Sequence, residues 1–126
     1  MEYYRCTKSG IPPSKWGSDV WSVLHLFSFN YPLNPTSEEK QRYKNFIESL
    51  FCFLPCIICV NNIKKHYSKE EFYNSVDNGR KAIVIYFFNL HNDINVSLNK
   101  PYYTWNEFIK NYTLILESSD IDINTL

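Results

Sequence analysis

The residues best equipped for chemistry are Cys56 and Cys59, in Leu54-Pro55-Cys56-Ile57-Ile58-Cys59-Val60. Two thiols with two residues between them on the first turn of a helix can close into a disulfide, so the spacing marks a redox pair. Pro55 suits a helix start, because it lacks the N–H that would be orphaned there and its backbone angle is already helical. The dithiol helix is therefore expected to begin at Pro55. A thiolate beside first-turn N–H groups is stabilised by their partial positive charge, which favours thiol exchange. A tight break before the helix would hold Cys56 at an accessible corner, with Cys59 one turn deeper. The plainer reading makes both cysteines small buried apolar residues among Ile57, Ile58 and Val60.

Other chemistry is weaker. Cys52, Cys56, Cys59 and His66 offer the donor types that zinc takes in tetrahedral sites. His66, however, lies seven residues beyond Cys59 on one helix, about two turns or roughly 10 Å of rise. That is too far for one ion without a break, so no metal ligand is assigned. Cys52 reads as a core thiol, or as a disulfide partner of Cys6 in an oxidising compartment. A thioredoxin-like motif belongs near a strand-helix-strand pattern, and the signals around this pair are helical. Trp16, Trp21 and His25 recur on successive turns, either as an aromatic core stripe carrying one histidine or as a wall of a flat-cofactor pocket. His91 and Asn95, four apart, share a helix face. Asparagine offers a donor and an acceptor to a ring edge, and Lys100 could meet a phosphate; equally, these are solvated polar residues.

The elements that must position these groups are helices. The chain has 126 residues, enough for one domain with a real core. It is 44% hydrophobic and 17% aromatic with 3 glycines, a composition of compact globular proteins. Lysine plus arginine equals aspartate plus glutamate at 13 each, so no basic excess attracts nucleic acid. Met1-Glu2-Tyr3-Tyr4-Arg5-Cys6 has no apolar signal segment, and no apolar run of 18 predicts an integral membrane span. Residues 1–13 read as a lead-in, after which Ser14 caps a helix burying Val20, Trp21, Leu24 and Phe27. Thr36 and Glu39 have capping-box spacing and open a second helix with Tyr43, Phe46, Ile47, Leu50 and Leu54 inside. The dithiol helix runs to His66 or Tyr67, and residues 68–76 read as a charged and aromatic connection. A further helix starts at Asp77 or Asn78 and carries Ile83, Val84, Tyr86, Phe87, Leu90, Ile94 and Leu98. Residues 82–88 also fit a buried strand, but the sustained period favours helix. Thr104 and Glu107 repeat the capping-box spacing before a short last helix with Trp105, Phe108, Ile109, Tyr112 and Leu116. Residues 117–126 read as a polar, frayed tail. The expected fold is all-α, a four-helix bundle with a short fifth helix.

Three blocks in this order resemble the Erv/ALR family of FAD-dependent sulfhydryl oxidases. Trp16-Gly17-Ser18-Asp19-Val20-Trp21-Ser22-Val23-Leu24-His25 is similar to its opening W-G-x-x-x-W-x-x-L-H pattern. Pro55-Cys56-Ile57-Ile58-Cys59 is similar to its central P-C-x-x-C, and His91-Asn92-Asp93-Ile94-Asn95 with Leu98-Asn99-Lys100-Pro101 to its H-N-x-V-N-x-x-L-x-K-P segment. Ile94 replaces the usual valine, Tyr86 stands where cellular members often carry tryptophan, and Asn62 where several viral relatives have histidine. The resemblance implies an oxidase unit over residues 14–116, with FAD bound between the helices of a homodimer. It implies a cofactor site of Trp16, Trp21, His25, Tyr86, His91, Asn92, Asn95, Lys100 and Tyr103, with Cys59 facing the flavin. Electrons would pass from the Cys56–Cys59 pair through FAD to dioxygen, giving hydrogen peroxide. No second C-x-x-C is present, which implies a separate dithiol relay protein or direct reaction of cysteine-containing substrates at Cys56. The compact form resembles those of large cytoplasmic DNA viruses, implying work in the cytoplasm, that of a host cell, or in the virion. The alternative is a non-enzymatic helical interaction protein with a structural or zinc-bound cysteine cluster.

Overall fold

Six α-helices and no strand make up the described residues of the structure, a computed structural model that describes residues 10–126. They are α1 (Gly17–Phe29), α2 (Ser37–Cys52), α3 (Ile57–His66), α4 (Lys69–Asp77), α5 (Arg80–Ser97) and α6 (Trp105–Glu117). The all-α class stands, but the expected count of five does not. The addition is α4, in the stretch read as a connection. Ser68 caps it, its side chain accepting from the Glu71 N–H at 3.3 Å. Only Phe72 and Val76 of its nine residues are buried, too few for a periodic signal.

The two capping boxes form as their spacing implies. Glu39 N–H donates to Thr36 Oγ1 at 3.1 Å and Thr36 N–H to Glu39 Oε1 at 2.9 Å; Thr104 and Glu107 repeat the arrangement before α6. Ser14 does not cap α1. It lies in a 3-10 turn (Pro13–Lys15), and Trp16 takes the N-cap position. The long helix starts at Arg80 rather than Asp77 or Asn78, with Gly79 at its N-cap and φ of 92°. There a Cβ would stand 2.6 Å from the Leu33 carbonyl oxygen. The Arg80 side chain then donates to the Tyr31 carbonyl at 2.7 Å, fixing the α1–α2 connection to α5.

Helix α5 is the axis, packing against α1, α3 and α4, while α2 closes over α3 and α4. The main core joins Leu24, Ile47, Phe51, Val60, Phe72 and Phe87 around it. A second cluster of Phe29, Val84, Phe108 and Leu116 seats α6. Ile121, Ile123 and Leu126 pack on that cluster, so the tail lies against the fold rather than fraying. Phe27, expected inside, is 50% exposed. Leu24, His25 and Ser28 take the core face of α1, and Val20, Val23 and Phe27 form a second stripe about 100° round the helix. No helix among the described residues is long and apolar enough to cross a membrane.

Candidate active site

The dithiol sits where the chain turns from α2 into α3. Cys56 N–H donates to the Leu54 carbonyl at 2.8 Å, closing a three-residue turn around Pro55. The turn leaves Cys56 extended, with φ −157° and ψ 119°, the backbone region an N-cap requires. Its Sγ takes the place of a capping oxygen, accepting from the Cys59 N–H at 3.3 Å. Helix α3 thus starts at Ile57, two residues later than Pro55 suggested, and the N-cap itself is the first sulfur of the pair. Accessibility is also reversed from expectation. Cys56 is 5% exposed and Cys59 is half-buried. A short segment lies over the turn: Ile11 N–H donates to the Pro55 carbonyl at 2.5 Å, and Gly10 rests against Pro55 and the Cys56 backbone. Cys6, weighed as a partner of the buried Cys52, lies outside the described residues. Among the described residues, no three His, Cys, Asp or Glu side chains gather as a metal site.

Helices α1 and α5 bring a set of flat rings together. Trp21 stacks on His91 with centroids 4.0 Å apart and planes 5° from parallel, and His25 stacks on both. His25 Nε2 and His91 Nδ1 are 2.9 Å apart, so one of the two carries the proton between them. Phe108 and Tyr112 of α6 close over His25, which is 1% exposed. Sequence reasoning placed these two in the core only, though their four-residue spacing already marked one inward stripe. Buried His25 Nδ1 has no hydrogen-bond partner among the described residues. Burial and the neighbouring His91 push His25 down to about 3, and burial and Lys100 push His91 down to about 4, so both are neutral near pH 7.

This gives a pH prediction. Unfolded, both imidazoles take up protons near pH 6.5; folded, they resist until far lower. The unfolded state therefore binds more protons between about pH 6.5 and 4, and stability complete above that window is lost as pH falls through it. Melting temperature should fall from about pH 7 to about pH 5, and His25→Gln should flatten the slope. An equally steep slope in the variant would show that the pair is not its source.

The third block is a loop folded back along α5. Asn99, with φ of 57°, is the left-handed residue of a Schellman ending: its N–H donates to the Val96 carbonyl at 3.1 Å and Lys100 N–H to the Asn95 carbonyl at 2.8 Å. Lys100 is thereby held at the helix C-terminus, where a cation is favoured. Asn92 then clamps the returning chain, its amide donating to the Tyr103 carbonyl and accepting from the Tyr103 N–H, both at 2.9 Å. Tyr103 comes within 6.2 Å of His91, ring to ring. Asn95 is buried on the same helix. Trp21, His25, His91, Lys100 and Tyr103 thus lie together. Trp16 is half-buried against the main core with its indole N–H donating to the Ile11 carbonyl. Tyr86 packs with Phe72 and Phe87 instead, since five residues before His91 is about 140° round the helix. Helix α3 joins the group through Asn62, whose amide donates to Ser97 Oγ of α5 at 3.4 Å.

The cysteine pair at the helix mouth, the tryptophan–histidine stack and the lysine at the end of α5 all fall within residues 18–113, which the profile of the Erv1 / Alr family matches. The chain belongs to the Erv1/Alr family. A protein of Invertebrate iridescent virus 3 named as a FAD-linked sulfhydryl oxidase is 34% identical to this Erv1/Alr chain over 91 residues, which are 72% of this chain and 61% of that one. One of Acanthamoeba polyphaga mimivirus, similarly named, is 34% identical over 98 residues, 78% of this chain and 68% of the relative. This chain thus spans less than two thirds of the first relative's length and about two thirds of the second's. The crystal structure of the yeast Erv1 core superposes with a TM-score of 0.69 at 26% identity, covering 86% of this chain and 89% of that one.

Proposed function

We propose that the chain is a FAD-dependent sulfhydryl oxidase that forms disulfides in protein or small dithiol substrates and passes the electrons to dioxygen, giving hydrogen peroxide. The observation that carries the reading is the helix-mouth pair Cys56 and Cys59 inside the span matched by the family profile. In the oxidised pair, a substrate thiolate attacks Cys56 Sγ, forming a mixed disulfide and releasing Cys59 as thiolate. The substrate's second thiolate then attacks its own bonded sulfur, the substrate leaves oxidised, and Cys56 departs as thiolate. The Cys59 N–H, aimed at Cys56 Sγ from 3.3 Å, stabilises that leaving charge. Two electrons now reside in the dithiol.

The residues present fit a flavin. Trp21, His91 and Tyr103 offer flat faces, the orphaned His25 Nδ1 and buried Asn95 offer polar contacts, and Lys100 suits a diphosphate. Trp21 and His91 at 4.0 Å leave no room for a ring between them, which would need about 7 Å, so their stack would hold a flat cofactor by its outer faces. Asn92 contributes by setting Tyr103, and Trp16 adds a further wall, whereas Tyr86, turned into the main core, supports α5 from behind. When bound, FAD takes the electron pair from the dithiol and delivers it to dioxygen. The neutral histidine pair keeps positive charge at this end of the site on Lys100.

Residues 14–116 form the oxidase unit and residues 117–126 its tail. Val20, Phe46, Leu50, Phe53 and Pro55 line a shallow apolar groove of about 370 Å³, and the exposed Val23 and Phe27 of α1 extend the apolar surface. We assign this α1–α2 face to a homodimer. Phe46→Asp should convert dimer to monomer in sedimentation at micromolar protein, and an unchanged dimer would move the interface elsewhere. A dithiol relay protein or cysteine-containing substrate supplies the electrons. Host cytoplasm or virion is the setting that goes with this reading, two of the relatives being viral.

The purified chain should be yellow. Anaerobic dithiol should bleach its flavin absorbance and air restore it, with peroxide formed. Colourless protein holding stoichiometric zinc would instead establish the structural cysteine cluster.

A further inference from the structure

The segment in front of α1 governs how Cys56 is reached. Ile11 is held by both of its peptide groups: its N–H donates to the Pro55 carbonyl at 2.5 Å, and its carbonyl accepts from Trp16 Nε1–H at 2.9 Å. Its side chain takes no part in this, and the residue is 53% exposed. Gly10 has φ of 73°, and a Cβ on it would collide with the Pro55 carbonyl and stand 3.0 Å from Cys56 Cα. Both properties call for glycine. Beneath this cover Cys56 is 5% exposed, although Phe53 and Ile58 on either side are 65% and 69% exposed.

We infer that Gly10–Ile11 occupies the docking site for one residue of a peptide substrate, with the Pro55 carbonyl as acceptor and Trp16 Nε1–H as donor, so that strap and substrate compete for Cys56. This rests on the oxidase reading above. A peptide bringing a cysteine to Cys56 along this path meets the same acceptor and donor. At the Ile11 position, recognition through backbone alone accepts any residue that keeps its N–H, which excludes only proline there, while a residue before it that followed the left-handed path of Gly10 would have to be glycine. Such tolerance suits an enzyme that oxidises unrelated sequences. The strap, being part of the chain, competes at the high effective concentration of a tethered ligand. A small dithiol has no peptide backbone to dock and meets the strap only as a cover.

The test uses the full chain with Gly10→Val, which clashes with the Pro55 carbonyl, and Ile11→Pro, which deletes the donor. With an unstructured reduced peptide containing two cysteines, KM should fall about three- to tenfold, the scale of one or two net hydrogen bonds. At saturating dithiothreitol, kcat should not change. In the reduced protein, maleimide alkylation of Cys56, located by peptide mass mapping, should accelerate by a similar factor. Unchanged KM and alkylation in both variants overturn the inference. So does a raised KM, which would make the segment part of the substrate's own binding surface. Alkylation needs neither flavin nor oxygen, so it reports on the strap independently. Loss of the oxidase reading would appear instead as no thiol-dependent oxygen uptake in the parent chain.

Discussion

Cys59→Ser is expected to lower thiol-dependent oxygen uptake by at least about a thousandfold, the scale of losing a group that bonds covalently during turnover, while the flavin absorbance persists. One sulfur cannot form the intramolecular disulfide, so the electron pair has no place to enter. The fold should be indifferent to the change. The N-cap of α3 uses the Cys59 backbone N–H and the Cys56 sulfur, and neither is altered. Cys56→Ser should be equally inactive and equally folded, because a serine hydroxyl is a good N-cap acceptor. Oxygen electrode traces and flavin spectra of both variants check this, and normal turnover in Cys59→Ser would refute the assignment of the pair.

The largest effect on stability is expected from Phe72→Ala. Phe72 is fully buried and meets the rings of Tyr43, Tyr67, Tyr86 and Phe87, tying α4 to α2 and α5. Truncating a ring in such a place costs about 3–5 kcal/mol, against a total of about 5–15 kcal/mol for a domain. Urea unfolding should show the midpoint falling by a large fraction of its value. Leu114→Ala, at a residue 80% exposed, should move it little. Equal, small shifts in the two variants would mean that α4 does not hold the core together.

Helix α4 also shows where sequence reading ran short. Thr36 and Glu39 announced α2, because a capping box is a local interaction between residues three apart, and the same held for Thr104 and Glu107. Ser68 and Glu71 had similar spacing, but only two inward residues followed, and nine residues make too little helix to stand without tertiary packing. In α1 two apolar stripes were present, and nothing local could say which would meet α5. Leu24 and His25 did; Phe27 did not. The site divides in the same way. The spacing of Cys56 and Cys59 and the shared face of His91 and Asn95 were legible. The clamp of Asn92 on Tyr103 was not, since its partners are eleven residues apart across a left-handed turn at Asn99.

By itself the sequence determined the helical class, the C-x-x-C spacing of Cys56 and Cys59 and the three blocks that resemble the family, because these depend on residue type and on spacings within a turn or two. Tertiary structure alone decided which sulfur is covered, which rings stack and which histidines stay neutral. The cover on Cys56 comes from Gly10 and Ile11, and the neutrality of His25 from burial under α6 and from His91 on α5. Each is a contact between segments far apart in the chain. Desolvation and hydrogen bonding of that kind arise only once packing has removed the water between them.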